Sequence, residues 1–154
     1  MPDTPEPTPM VRISLPSKGR LAEDASEFLS TCGLKIYKPN PRQYEARIPV
    51  LPELHVLFQR PGDIVVSVRD GSVEFGITGI DVIEERKGEN DSVLVLHDSL
   101  GFGHCSLNLA VPESWEDVRD IDGLRQRAVQ MGHPLRIATR YPTLTSRFLD
   151  RCGI

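Results

Sequence analysis

At 154 residues, with 39% hydrophobic, 26% charged and 6% aromatic side chains, the chain has the balance of a soluble globular protein with a core to bury, which excludes a disordered or membrane protein. A net charge of -4 with scattered Lys and Arg offers no basic face for a polyphosphate backbone, so nucleic acid is not an expected partner. Cys32, Cys105 and Cys152 are odd in number and far apart, with no CxxC pair; they read as reduced, mostly buried thiols of a cytoplasmic protein, not as a disulfide framework or a zinc site.

Residues 1–10, MPDTPEPTPM, are rich in proline and acid and read as a solvated, disordered arm. They lack the basic start and apolar run of a signal peptide, and no stretch elsewhere is apolar for long enough to span a bilayer. Residues 11–16 predict a short buried strand that runs into Ser17-Lys18-Gly19-Arg20 and a helix. In that helix Leu21, Ala25, Phe28, Leu29 and Cys32 fall on one face of a 3.6-residue period, and Gly33 supplies a left-handed cap.

Prolines at 39, 41, 49 and 52 interrupt regular structure and leave room for an edge strand at 44–50. Residues 54–59 predict a firmer strand. Arg60-Pro61-Gly62 then reads as a turn, with Asp63 as the N-cap of a helix that runs to Arg69 and ends at Gly71. A short strand follows at 75–78, and Gly79 opens another helix carrying Ile80 and Ile83.

Beyond a charged loop at 87–92, two apolar, strand-like runs at 93–97 and 105–111 flank Leu100-Gly101-Phe102-Gly103. That segment reads equally as a crossover between two lobes or as a plain hairpin. A helix at 121–131, a strand at 135–138 and a helix at 143–152 complete the pattern, the last with Leu144, Phe148, Leu149 and Cys152 on one face. The order predicts an α/β fold with a mainly parallel sheet, in which ligands sit beyond the carboxyl ends of the strands. The chain stops at a helix cap where a next strand is expected, which reads as truncation of a second layer.

Three strand-to-helix turns are candidate binding sites. Ser17-Lys18-Gly19-Arg20 brings free backbone N–H groups, a helix dipole and two cations together, which favours a phosphate, without the glycine spacing of a Walker A loop. A solvated basic turn is the plainer reading. Thr78-Gly79-Ile80-Asp81 lets a ligand approach the backbone closely, and Asp81 could accept from a ribose hydroxyl or a base amine, or simply stabilise the first helical turn. Thr139-Arg140-Tyr141 offers a cation, a ring and hydroxyls at a helix start, where capping by Thr143 explains part of the pattern. His97 and His104 lack metal-ligand spacing, and no GxSxG elbow marks a hydrolytic nucleophile.

Taken in order, VRISLPSKGRL, RPGDI, VEFGITGIDVIEE, LGFGHCSLNLAVP and LRIATRYPTLTSRFLDRCGI span nearly all of residues 11–154. In them the chain resembles the ATP phosphoribosyltransferases. The resemblance implies a two-lobed fold like that of type II periplasmic binding proteins, with a first lobe at 11–101 and an incomplete second lobe at 102–154. It implies transfer of a phosphoribosyl group from phosphoribosyl pyrophosphate to N1 of ATP, the first step of histidine biosynthesis, with Mg2+ accompanying the pyrophosphate. By the same resemblance Lys18 and Gly19 lie near phosphates, Asp81 contacts the adenosine part, and Arg60, Gly101, Phe102, Gly103 and Tyr141 line the cleft. A homo-oligomer or a regulatory subunit is the implied partner. The acidic, Gly- and Thr-rich loop that cradles the 5-phosphate in this family has no counterpart in the chain, so a non-catalytic nucleotide-binding module is the competing expectation. A solute-binding protein of similar fold ranks third.

Overall fold

The computed structural model describes residues 10–40, 42–88 and 92–154. The arm expected at 1–10 (apart from Met10), Pro41 and the middle of the charged loop at 87–92 lie outside them. The chain divides into two compact units, 1–104 and 105–154.

The first unit is a mixed α/β layer with one sheet, in the order β1 (Val11–Pro16), α1 (Arg20–Thr31), β2 (Glu45–Ile48), β3 (Leu51–Gln59), α2 (Pro61–Arg69), β4 (Phe75–Gly76) and α3 (Ile80–Arg86). The strands lie side by side as β2-β3-β1-β4. β1 is parallel to β3 from Val11 opposite Leu54 to Pro16 opposite Gln59, and parallel to β4 at Ile13 and Ser14. β2 returns antiparallel along the outside of β3, as the edge strand expected at 44–50.

Period-2 alternation sends Ile13 and Leu15 into one layer with Leu29 of α1, Ala46, Ile48, Leu54 and Val56. Ser14 and Pro16 point to the opposite face, where α2 buries Ile64 and Val65. α1 ends as its sequence predicts: Gly33 takes φ 80°, its N–H donates to the Ser30 carbonyl, and the Leu34 N–H donates to the Leu29 carbonyl at 2.8 Å. That pairing is a Schellman cap.

Four expectations are corrected in this unit. β3 begins at Leu51 and takes in Pro52, which is tolerated because pairing with β1 starts only at Leu54 and the β2 register shifts after Arg47. Asp63 is not the N-cap of α2; Arg60 is, with Pro61 at the first helical position, where its fixed φ and missing N–H suit the helix. β4 is two residues long: the Ile77 N–H still reaches the Ser14 carbonyl at 3.0 Å, but Thr78 turns away to the Pro61 carbonyl. Residues 93–97 form no strand, and Leu94 and Leu96 are exposed, since an apolar run becomes a strand only where a neighbour takes its N–H and C=O groups.

β4 is pinned to β1 by an ion pair. Arg12 donates from its backbone N–H (2.6 Å) and its guanidinium (2.8 Å) to the Glu74 carboxylate. The guanidinium foremost, then the backbone N–H, holds the Glu74 carboxyl down from 4.5 to about 2, and Glu74 raises Arg12 in turn. A depressed carboxyl stabilises the fold above its unfolded value and loses that contribution as pH falls through its folded value. Acidification from 4.5 to about 2 therefore removes this pair's contribution. Glu74→Gln is expected to lower the urea midpoint at pH 7 and to flatten its fall across that acid range; midpoints that run parallel to wild type at every pH would count against the assignment.

In the second unit α4 (Ile121–Gln130) starts at Asp120, whose carboxylate accepts from the Gly123 N–H at 2.8 Å. α5 (Pro142–Cys152) follows, and Arg125 of α4 donates to the Cys152 carbonyl at 2.8 Å, where cations suit a helix end. Arg127 pairs with Asp117 at 2.9 Å and lies over the Trp115 ring. The strands expected at 105–111 and 135–138 are irregular, with Leu107 and Leu109 exposed. Thr143 does not cap α5: Tyr141 occupies that position and Pro142 the next.

The thiols are free, but the expectation that they are mostly buried fails. Cys32 is exposed at the end of α1, Cys105 is exposed in an irregular segment, and Cys152 is half-buried. Among the described residues no helix is long and apolar enough to cross a membrane.

Candidate functional site

Parallel pairing of β1 with both β3 and β4 puts the residues that follow all three strands at one edge of the first unit's sheet. From β1 the chain crosses to β3 on one side, and from β3 it crosses back over β1 to β4. Such a reversal opens a crevice beyond the carboxyl ends of the strands.

The first turn, Ser17 to Arg20, is held at its root. The Ser17 N–H donates to the Gln59 carbonyl at 2.8 Å, which carries the β1–β3 ladder one residue past Pro16. Gly19 then sits at φ 79°, ψ 179°, a region that only glycine occupies without strain. Its carbonyl accepts from the Ala22 N–H at 2.9 Å to open α1, leaving the first N–H groups of a 12-residue helix facing outward. Lys18 and Arg20 are exposed; Arg20 is 3.8 Å from Asp24, too long a contact to hold it in place.

The second turn places Arg60, also exposed, at the N-cap of α2. The third is tied to it by the Thr78 hydroxyl, which donates to the Pro61 carbonyl at 3.2 Å. Gly79 caps α3, and a Cβ there would collide with the Asp81 carboxylate, so that carboxylate lies back over the turn.

A depression of about 350 Å³ opens beside the first turn, lined by Ser17, Lys38, Arg42, Gln43, Tyr44 and Phe58. Lys38 stands 4.2 Å above the Phe58 ring centre. Asn40 shapes this wall by accepting from the Arg42 N–H at 3.0 Å, and the Phe58 N–H donates to the Tyr44 carbonyl at 2.7 Å. Two further cations and two rings thus lie beside Ser17, where the first turn begins. Sequence reading passed over them because four prolines masked the segment; the only available signal was a Lys, an Arg and a Tyr within seven residues.

Phe102 and Gly103 rest on α1, while a Cβ at Gly101, at φ 83°, would meet nothing within 4 Å. Phe102 packs its ring on Phe28 at 5.8 Å, and Gly103, at φ 70°, comes up against Leu21 in the first turn of the helix. A side chain at Gly103 would meet Leu21 at 3.0 Å.

In the second unit Thr139 is bonded to Thr145 at 3.0 Å and accepts from the Tyr141 N–H at 3.0 Å, which shapes the start of α5 and leaves Arg140 exposed. Thr139 and Thr145 also border a mostly apolar cavity of about 440 Å³, with Val111, Trp115, Leu124 and Ile137 among its walls. Among the described residues no group of three or more His, Cys, Asp or Glu side chains is placed to hold a metal ion.

Residues 60–154 match the family model described as HisG: ATP phosphoribosyltransferase. ATP phosphoribosyltransferase 1, chloroplastic, of Arabidopsis thaliana is 40% identical over 147 residues, covering 94% of this chain and 36% of that protein. ATP phosphoribosyltransferase of Agrobacterium fabrum is 38% identical over 147 residues, covering 92% of this chain and 64% of that protein. This chain therefore spans between about a third and two-thirds of the length of these curated relatives. Among solved structures, the ATP phosphoribosyl transferase (HisG:HisZ) complex from Thermotoga maritima shares the fold, with a TM-score of 0.55 at 20% identity over 94% of this chain and 60% of that one.

Proposed function

This chain belongs to the ATP phosphoribosyltransferase family, and on that premise we propose that it supplies the nucleotide-facing part of an enzyme that transfers a phosphoribosyl group from phosphoribosyl pyrophosphate to N1 of ATP. The observation that carries the reading is the convergence of three turns, with Lys18, Arg60 and Thr78 on them, at the carboxyl edge of β1, β3 and β4. Attack by N1 forms the bond to the ribose anomeric carbon as the bond to pyrophosphate breaks. The charge that develops on the ribose and on the leaving group asks for oriented donors and cations, not for a protein nucleophile. Lys18, Arg20, the α1 N–H groups and Arg60 supply them for phosphate oxygens, Gly19 and Gly79 allow the close approach, and Asp81 accepts from the adenosine part.

Magnesium travels with the substrate phosphates. It is bound mainly through their oxygens and water, so it arrives as part of the substrate. We assign Gly101, Phe102 and Gly103 to the cleft wall and Thr139, Arg140 and Tyr141 to a second phosphate or nucleotide contact. The fold is read as two lobes of the type II periplasmic-binding-protein kind, at 11–101 and 102–154. A second copy or a regulatory subunit is the expected partner; the name of the Thermotoga complex, with its two components, supports the latter. Free, exposed Cys32 and Cys105 suit a reducing compartment such as the cytoplasm.

Charge-assisted hydrogen bonds contribute about 1.5–3 kcal/mol each. Lys18→Met and Arg60→Met are therefore each expected to weaken ATP binding roughly 10- to 100-fold, read by titration calorimetry on the 154-residue chain with Mg2+. Unchanged ATP affinity in both variants would remove the two turns from the site.

A further inference from the structure

Beneath the turns, on the α2 face of the sheet, lies a chain of polar side chains that the reading above does not use. Ser14 is the buried polar residue of β1, with 0% exposure. Its hydroxyl donates to the Gln59 side-chain oxygen at 2.6 Å, and the Gln59 amide nitrogen donates to the Ser67 hydroxyl of α2 at 3.0 Å. The backbone of the same residue accepts the Ser17 N–H at 2.8 Å, and the residue after it is Arg60, the N-cap of α2. One side chain thus joins β1, β3 and α2 directly under the point where the first and second turns leave the sheet.

A hydrophobic residue would fill that space without fixing direction. A carboxamide with both of its ends engaged fixes both, because each bond is directional and the buried Ser14 hydroxyl has as its alternative only the Leu57 carbonyl at 3.4 Å. We propose that Gln59 is a positioning residue: its carboxamide, clamped between Ser14 and Ser67, sets the separation of the Lys18–Gly19 turn from Arg60, so that both reach one set of nucleotide phosphates. This rests on the ATP-binding reading for its ligand, and on the hydrogen bonds alone for its mechanics.

The test compares wild type with Gln59→Leu, which keeps the bulk and removes both bonds, with Gln59→Glu, which still accepts from Ser14 and can accept from Ser67, and with Ser67→Ala, which removes one bond. Amide hydrogen exchange is followed at Ser17, and at Ile13 and Val56 as controls in the sheet, together with ATP affinity by calorimetry. In Gln59→Leu the Ser17 amide is expected to exchange about tenfold faster while Ile13 and Val56 stay within about twofold, with ATP affinity falling about tenfold. Gln59→Glu restores the Ser17 protection. If Ser17, Ile13 and Val56 accelerate together, Gln59 merely stabilises the sheet and the proposal is overturned; an unmoved Ser17 overturns it equally. Should Gln59→Leu fail to fold, Ser67→Ala must show the same selective acceleration in smaller measure. A wild-type chain that does not bind ATP removes the nucleotide reading, while the exchange pattern still decides the positioning role.

Discussion

Leu15→Ala is expected to lower the unfolding free energy by about 2–5 kcal/mol, the range for truncating a fully buried leucine. Leu15 is 1% exposed and belongs to the core layer that β1 shares with α1 and β3. Its strand lies between β3 and β4, so the surrounding backbone is tied on both sides and cannot collapse into the space left behind. Against a total stability of about 5–15 kcal/mol for a domain, a loss of that size leaves little margin. Urea unfolding followed by circular dichroism reads it directly. A loss below about 1 kcal/mol would mean that the core relaxes around the cavity, and so that β1 is less firmly held than its pairing indicates.

The second large effect is expected at Gly19. Gly19→Ala should cost about 1–3 kcal/mol and weaken ATP binding as well. A Cβ at this position would meet nothing within 4 Å, so no clash contributes and the whole effect comes from the backbone at φ 79°, ψ 179°. Asparagine, which tolerates the left-handed helical basin, brings no relief, because that ψ lies outside the basin. Gly153, at φ 68° and ψ 36°, lies within it and should accept Asn with little change. Equal stability losses from Asn at the two sites, measured by urea unfolding, would contradict this account.

Much of the first unit was legible because its signals are local. The 3.6-residue spacing of Leu21, Ala25, Phe28 and Leu29 and the glycine after it define α1, and the run at 11–16 has the length and apolarity of a buried strand. Pro61 misled, since proline marks a turn and a helical first position alike, and a strand end at Gln59, which the sequence already indicates, does not choose between them. The runs at 93–97, 105–111 and 135–138 have strand composition, yet strand formation depends on a neighbouring ladder that composition does not report.

The same division holds at the site. The turns at 17–20 and 78–81 could be read because each is a strand end, a glycine and a helix start in succession, whereas Arg60 came in only through the family resemblance, since the turn read at 60–62 gives no hint of a ligand. Lys38, Arg42, Tyr44 and Phe58 could not, because the β2–β3 hairpin brings Tyr44 beside Phe58 and only a pairing register reveals it.

The position of β1 also bears on how the chain folds as it is synthesised. This strand leaves the ribosome before its partners, yet it lies between them: its ladder needs Leu54 through Gln59 on one side and Phe75 and Gly76 on the other. β1 therefore waits as an unpaired, apolar segment until β3 has emerged, and then as an edge strand until β4 follows. Such long-range closure slows folding and exposes a sticky strand to other nascent chains. Early recognition of residues 11–16 by a holding chaperone would shield that segment during the interval.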